Sequence, residues 1–410
     1  MIGAGLTMEQ APPFGVPLRF FLTAPLFLVA AGLLAAFSPD WSSAAQHPTT
    51  LALTHLLSLG VLGMVMFGAM TQMLPVVAGT PLPHLAVVAW VSHLGFFLGT
   101  PALAWGLAAG SAQALHAGAA LISAGGLAFL LSVGAALLQA RGIPTVRAMR
   151  VALFGLAATL ALGLGMAAWL AGDWEGGDPM RLLARHAEMG LGVWIGALIM
   201  GSAWQVIPML QLTPPYPAAH TRWLPWIMVA GLALNLLPAP WHLAGNGLLG
   251  AGLVLFALTT LRLLGQRKRK IPDVTLDFWR LGLVCLLASL ALALAGVELM
   301  AGLLFLAGFA LSVVNGMLYK IVPFLAWFHL QAQRGLMTPG LPGMKDYLPD
   351  RRARRQFRLH LAALACLAPA PYLPWMAWPG GLLLAASGLA LGMNLLHIAA
   401  LFRRREGRFS

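Results

Sequence analysis

Charge is what this chain has least of. Only 9% of its 410 residues are Asp, Glu, Lys or Arg, while 60% are apolar, a balance that excludes an ordinary soluble globule. Cysteine is scarcer still. Cys285 and Cys366 are the only two; both fall in apolar stretches and neither sits in a CxxC or CxxCH pattern, so neither a disulfide framework nor a covalently attached c-type haem is implied. Also missing are GxxxxGK(S/T), HExxH, GxSxG and a dinucleotide glycine fingerprint after a strand, the marks of the common soluble nucleotide-binding, protease, hydrolase and dehydrogenase sites. Glycine pairs such as Gly163 with Gly165 and Gly245 with Gly247 fit helix packing instead.

What is present is apolar helix. Twelve apolar stretches start near Leu18, Thr50, Ala86, Leu115, Ala148, Ala184, Trp223, His242, Leu281, Val297, Leu359 and Gly380, each of the roughly 20 residues that cross a bilayer. The expected fold is an all-α polytopic membrane protein of twelve transmembrane helices, a single transmembrane domain over residues 1–410. The first run, after Arg19, is of spanning length and reads as an uncleaved helix. With the N-terminus inside, all 25 Lys and Arg except Arg181 and Arg185 fall on the cytoplasmic side, the side that retains basic residues. That pattern puts both termini in the cytoplasm and the chain in a bacterial inner membrane. The net charge of +13 then reads as a topology signal and a match to anionic lipid headgroups, with no nucleic acid implied. The polar stretch 331–357, containing Arg351-Arg-Ala-Arg-Arg355, and the shorter Gln266–Lys270 run read as cytoplasmic connectors.

One motif, Gxxx(Q/K)xxP, recurs three times: Gly68-Ala-Met-Thr-Gln72-Met-Leu-Pro75, Gly201-Ser-Ala-Trp-Gln205-Val-Ile-Pro208 and Gly316-Met-Leu-Tyr-Lys320-Ile-Val-Pro323. Its prolines lie 133 and 115 residues apart, closing the second, sixth and tenth stretches. A small residue, a polar residue and a helix-disturbing proline at fixed spacing point to internal repeats of about 1–140, 141–270 and 271–410. The expected arrangement is pseudo-threefold, with four-helix arcs.

Two repeats carry a histidine near the other end of the motif helix, His55 at 20 and His186 at 22 residues before the repeat proline. Two imidazoles brought from different helices to one depth is the geometry of bis-histidine haem ligation; two interfacial histidines bonded to backbone or water is the competing explanation. Arg181 and Arg185, one turn apart just ahead of His186, suit the propionates of a haem. They equally suit ion pairs with Asp173, Glu175, Asp178 or Glu188. Trp174 and Trp194 could flank a macrocycle or simply anchor the interface. His55, Leu62, Met66 and Met73 share one helical stripe that offers soft ligands to Cu(I), or packs as methionine usually does. The third repeat has no such histidine: the matching positions are Ala301 to Leu303.

The layout resembles the catalytic subunit of the haem-copper oxidase superfamily: Thr54-His55 opening an apolar run to Leu74-Pro75-Val-Val-Ala-Gly79, and Tyr319-Lys320-Ile-Val-Pro323 closing the tenth helix. Arg185-His186-Ala-Glu188-Met189-Gly and Leu53-Thr-His55-Leu-Leu-Ser-Leu-Gly60 are also similar to the NnrS family of haem-containing membrane proteins linked to nitric oxide tolerance. The resemblance implies that His55 ligates a low-spin haem. It departs from the oxidase pattern where that pattern places haem and copper histidines, since Gly302–Asn315 and Trp223–Pro238 contain none. The expected protein is therefore a membrane haem protein without the oxidase copper site. It would hold one or two b-type haems through His55 and His186, and work in electron transfer or nitric oxide handling with a periplasmic donor or partner membrane subunit. Two other classes remain open at this point: a copper or haem transporter built on Gln72, Gln205 and Lys320 near the prolines, and a non-catalytic assembly subunit.

Overall fold

Hydropathy is realised as helix throughout. The computed structural model describes residues 8–409 apart from 175, 239, 269 and 335–340, and every regular element among the described residues is helical. Twelve long helices follow in order: α1 (Gly15–Phe37), α2 (Pro48–Ala78), α3 (Leu85–Ala109), α4 (Ala112–Gln139), α5 (Pro144–Ala171), α6 (Pro179–Gln211), α7 (Ala218–Asn235), α8 (Trp241–Gly265), α9 (Val274–Leu294), α10 (Glu298–Arg334), α11 (Asp350–Leu367) and α12 (Ala377–Arg404). Ten are long and apolar enough to cross a membrane. The other two, α7 and α11, are 18 residues each, and α11 opens on a run of arginines that lowers its hydropathy.

That run corrects the connector expected over 331–357. α10 continues to Arg334 and α11 begins at Asp350, so Arg351–Arg355 form the first turns of a helix. Arg354 bonds Asp350 one turn back at 2.7 Å and reaches Asp277 at 3.6 Å, an i,i+4 pairing that supports a helix start. Residues 335–340 of the connector, Arg269 of the other basic run and Glu175 lie outside the described residues.

Close contact between helices accounts for several of the glycines. A Cβ on Gly32 of α1 would lie 2.4 Å from Ala385 N, and one on Gly381 of α12 would lie 2.4 Å from Ala36 N, so the first and last helices pack backbone to backbone. The motif glycines follow one rule. Gly68 faces Phe20 and the Pro17 carbonyl on α1, Gly201 faces Ala148 and the Thr145 carbonyl on α5, and Gly316 faces Phe278 and the Thr275 carbonyl on α9. Each motif helix thus seats on the first turns of another helix, and each seat is a pair of residues three apart. The prolines sit inside their helices, which continue past them.

Within the three motif helices, regular α-helix gives way to π-helix over Leu56–Gly63, Glu188–Gly196 and Leu304–Ala310. Such segments are rare and concentrate at functional sites, because the extra residue per turn re-aims the side chains beside it.

Candidate cofactor site

His55 is the last α-helical residue before the π segment of α2, and His186 lies two residues before that of α6. Counted from the repeat prolines they are two residues out of register, yet their rings face one another, with centroids 5.9 Å apart and planes inclined by 27°. The π segments, eight and nine residues long, change how many residues each turn consumes, and in doing so allow two unequal spacings to converge.

Both rings are oriented through the same nitrogen. His55 Nδ1 lies 2.7 Å from the Leu51 carbonyl of its own helix, and His186 Nδ1 lies 3.1 Å from the Thr159 carbonyl of α5. A carbonyl accepts, so each Nδ1 carries the proton and each Nε2 is left with a lone pair, the tautomer of a metal-ligating imidazole. Gly163, one turn beyond Thr159, makes the room: a Cβ there would stand 3.0 Å from His186 Cε1.

Both histidines line a cavity of about 780 Å³, within the range of ligand pockets. Its walls are largely apolar and include Phe67, Phe96, Leu160 and Trp194, with Ser58 and Thr159 among the few polar groups. The third motif helix closes another side with Ala301, Gly302 and Leu303, the positions where a third histidine is missing. A Cβ on Gly302 would meet nothing within 4 Å.

Most of the other sequence-selected residues fall elsewhere. Arg185 Nη1 binds Glu188 Oε2 at 3.0 Å with both side chains mostly buried, Arg181 is exposed, and neither lines the cavity. Trp194 lines it; Trp174 does not. Gln72 is buried and Gln205 half-buried, while Lys320 pairs with Asp273, the N-cap of α9, at 2.6 Å. Burial alone would push the Asp273 carboxyl up, but the Lys320 ammonium and the Thr275 hydroxyl and amide outweigh it and hold it below the usual carboxylate range. Among the described residues no group of three or more His, Cys, Asp and Glu gathers as a metal site.

The chain matches no protein-family model and no curated protein.

A second, smaller cavity of about 70 Å³ lies where the three motif helices meet. All three contribute the same positions, 10, 9, 6, 5 and 2 residues before the motif proline, and Trp279 of α9 completes the wall. Met66 and Met73 of the sequence stripe line this chamber together with Met70 and Met317, whereas His55 faces the larger cavity and Leu62 lines neither. Superposing the three motifs would have picked out these positions; the single-helix stripe could not.

Proposed function

We propose that this protein is an integral membrane b-type haem protein in which His55 and His186 would hold one haem, and that its role is electron transfer. The observation that carries the reading is the facing imidazole pair on an apolar cavity of about 780 Å³. With their centroids 5.9 Å apart, the two rings stand close enough that both would hold one iron. The carbonyls of Leu51 and Thr159 hold the tautomer that leaves Nε2 free. A haem bound here supplies one-electron redox chemistry. Were both histidines to hold its iron, the site would suit electron transfer better than capture of a gas such as nitric oxide.

The pseudo-threefold arrangement of four-helix arcs belongs to the same proposal. It is supported by the shared seat of the three motif glycines, the three π segments and the common positions lining the small chamber. So is kinship with the haem-copper oxidase catalytic subunit or the NnrS proteins, for which the His55 motif argues and the missing oxidase histidines set a limit. On this reading the chain lies in a bacterial inner membrane with both termini cytoplasmic. The histidine pair is then near the periplasmic face, within reach of a donor or partner subunit there. A carrier built on Gln72, Gln205 and Lys320 is the weaker reading, because none of the three lines either cavity and Lys320 is engaged by Asp273.

The test is a reduced-minus-oxidised absorption spectrum with a pyridine haemochrome assay on the purified protein and on its His55→Ala and His186→Ala forms. The expected result is a low-spin b-type signal, lost in each variant. A folded, colourless protein expressed with haem supplied, or an undiminished signal in both variants, overturns the proposal.

A further inference from the structure

The haem reading leaves the methionines of α2 unexplained. Met66, Met70 and Met73 of α2 and Met317 of α10 all line a single chamber of about 70 Å³. The α6 side of that chamber is aliphatic apart from Ser202, so no carboxylate, imidazole or thiolate competes with sulfur there.

We propose that this chamber is a binding site for a single Cu(I) ion, held by thioether sulfur. Soft, neutral sulfur donors select Cu(I) over the harder divalent ions, which prefer imidazole and oxygen. The chamber exceeds the roughly 10–15 Å³ that one small guest requires, so an ion enters without rebuilding the bundle. Neutral ligands leave the positive charge uncancelled in apolar surroundings, and an aromatic residue, Trp279, stands in the chamber wall. Its indole donates the Nε1–H to Met317 Sδ at 3.2 Å. A thioether has a second lone pair, so this bond orients one ligand without consuming it. Access is graded along the chamber: Met66 and Met70 are buried, Met73 and Met317 half-buried. Met73, two residues before Pro75, is the chamber methionine of α2 farthest along the chain from His55. Phe67 lines the large cavity while Val65 and Met66 line the chamber; the two sites are therefore separate, and the copper proposal does not depend on what fills the outer one.

The experiment uses the purified full-length protein, with haem content measured on every sample. Cu(I), kept reduced by ascorbate under argon, is competed against the chromophoric chelator bicinchoninate, and Ag(I) serves as a redox-inert check. The proposal expects one Cu(I) per chain with a sulfur shell and no nitrogen neighbour by X-ray absorption. The paired Met66→Leu and Met70→Leu change, which nearly conserves volume, should weaken binding about tenfold or more, the loss expected when a ligand worth at least 1.4 kcal/mol is removed. Haem content should not move. If the double variant does not fold, Met317→Leu alone must weaken Cu(I) and Ag(I) binding. Copper binding unchanged in these variants, a nitrogen shell abolished by His55→Ala and His186→Ala, or no stoichiometric binding overturns the proposal. Failure of the haem reading is seen separately, in the haemochrome assay.

Discussion

Gly163 sits where a side chain would touch a candidate ligand. A Cβ there would stand 3.0 Å from Cε1 and 3.4 Å from Nδ1 of His186, so in Gly163→Ala the imidazole must retreat by a few tenths of an ångström. That retreat stretches the bond from Nδ1 to the Thr159 carbonyl, already 3.1 Å long. A hydrogen bond of this kind contributes about 0.5–1.5 kcal/mol net, or about 2- to 12-fold in affinity, and loss of an orienting partner of a metal ligand commonly costs about 10- to 100-fold. The expected loss in haem affinity is therefore about tenfold. The same substitution places alanine in a helix interior, which favours α5 by up to roughly 1 kcal/mol. Haem affinity and apoprotein stability should thus move in opposite directions, a signature that general damage to the fold does not produce. The assay is haem titration of the apoprotein in detergent beside a thermal melt without haem. Gly165→Ala is the control: the nearest atom to its Cβ is Leu182 Cδ2 at 4.0 Å, so it should gain the helix increment and keep wild-type haem affinity. If Gly163→Ala binds haem as tightly as the wild type, His186 is not held as a ligand by this helix, and the reasoning fails.

Three further outcomes are expected. Gly381→Val should abolish the folded protein in size-exclusion chromatography, because its Cβ would stand 2.4 Å from the Ala36 nitrogen and 2.5 Å from the Gly32 carbonyl oxygen, and backbone atoms cannot swing aside. Gly201→Ala should lower the melting temperature, since its Cβ would meet Ala148 Cβ at 2.5 Å and overpacking of this kind costs about 1–3 kcal/mol. The Asp273–Lys320 pair should make stability acid-sensitive. A carboxyl held below its unfolded value of about 3.9 contributes fully above that pH and loses its contribution as pH falls through its depressed folded value. Lys320→Met should cost roughly 1.5–3 kcal/mol at neutral pH and flatten the melting profile below about pH 4; an acid profile identical to the wild type's would show the pair to be inert.

Much of this was legible in the chain itself, and for reasons that can be named. Hydropathy locates α2, α4 and α6 because lipid demands about 20 apolar residues in a row. It misplaces the start of α11 by nine residues, since Arg351, Arg352, Arg354, Arg355 and Arg358 break the apolar run without breaking the helix. Helix propensity does not penalise arginine. The recurring Gxxx(Q/K)xxP marks three equivalent helices, and the role of its glycine emerges only once α1, α5 and α9 are seen seated against it. The π segments have no counterpart in periodicity, because a single extra residue per turn vanishes in a continuous apolar run. That is why the count from the prolines leaves His55 and His186 out of register, while in space their rings meet.

Difference among the three motif helices, rather than their likeness, creates the two candidate sites. Where the glycine seats and the chamber positions agree, all three helices do the same structural work, and a substitution that helps one would be expected to help another. Near the histidines they part. α2 and α6 present imidazoles, and α10 presents Ala301, Gly302 and Leu303 to the same cavity. A third imidazole at that depth would fill the space that gives the cavity its size, and it would convert a two-ligand site, suited to a flat group clasped from both sides, into a three-nitrogen site suited to a bare ion. The chamber shows the converse. There α2 and α10 contribute sulfur and α6 contributes carbon, so a cation bound at this three-helix junction is held from two helices and leaves the third as its wall. Each proposed site thus draws its ligands from two motif helices and its space from the third, with α2 contributing to both. A defect that distorts α2 as a whole should therefore disturb haem and copper together, whereas one confined to the His186 turn of α6 should disturb haem alone and one confined to Met66 and Met70 copper alone.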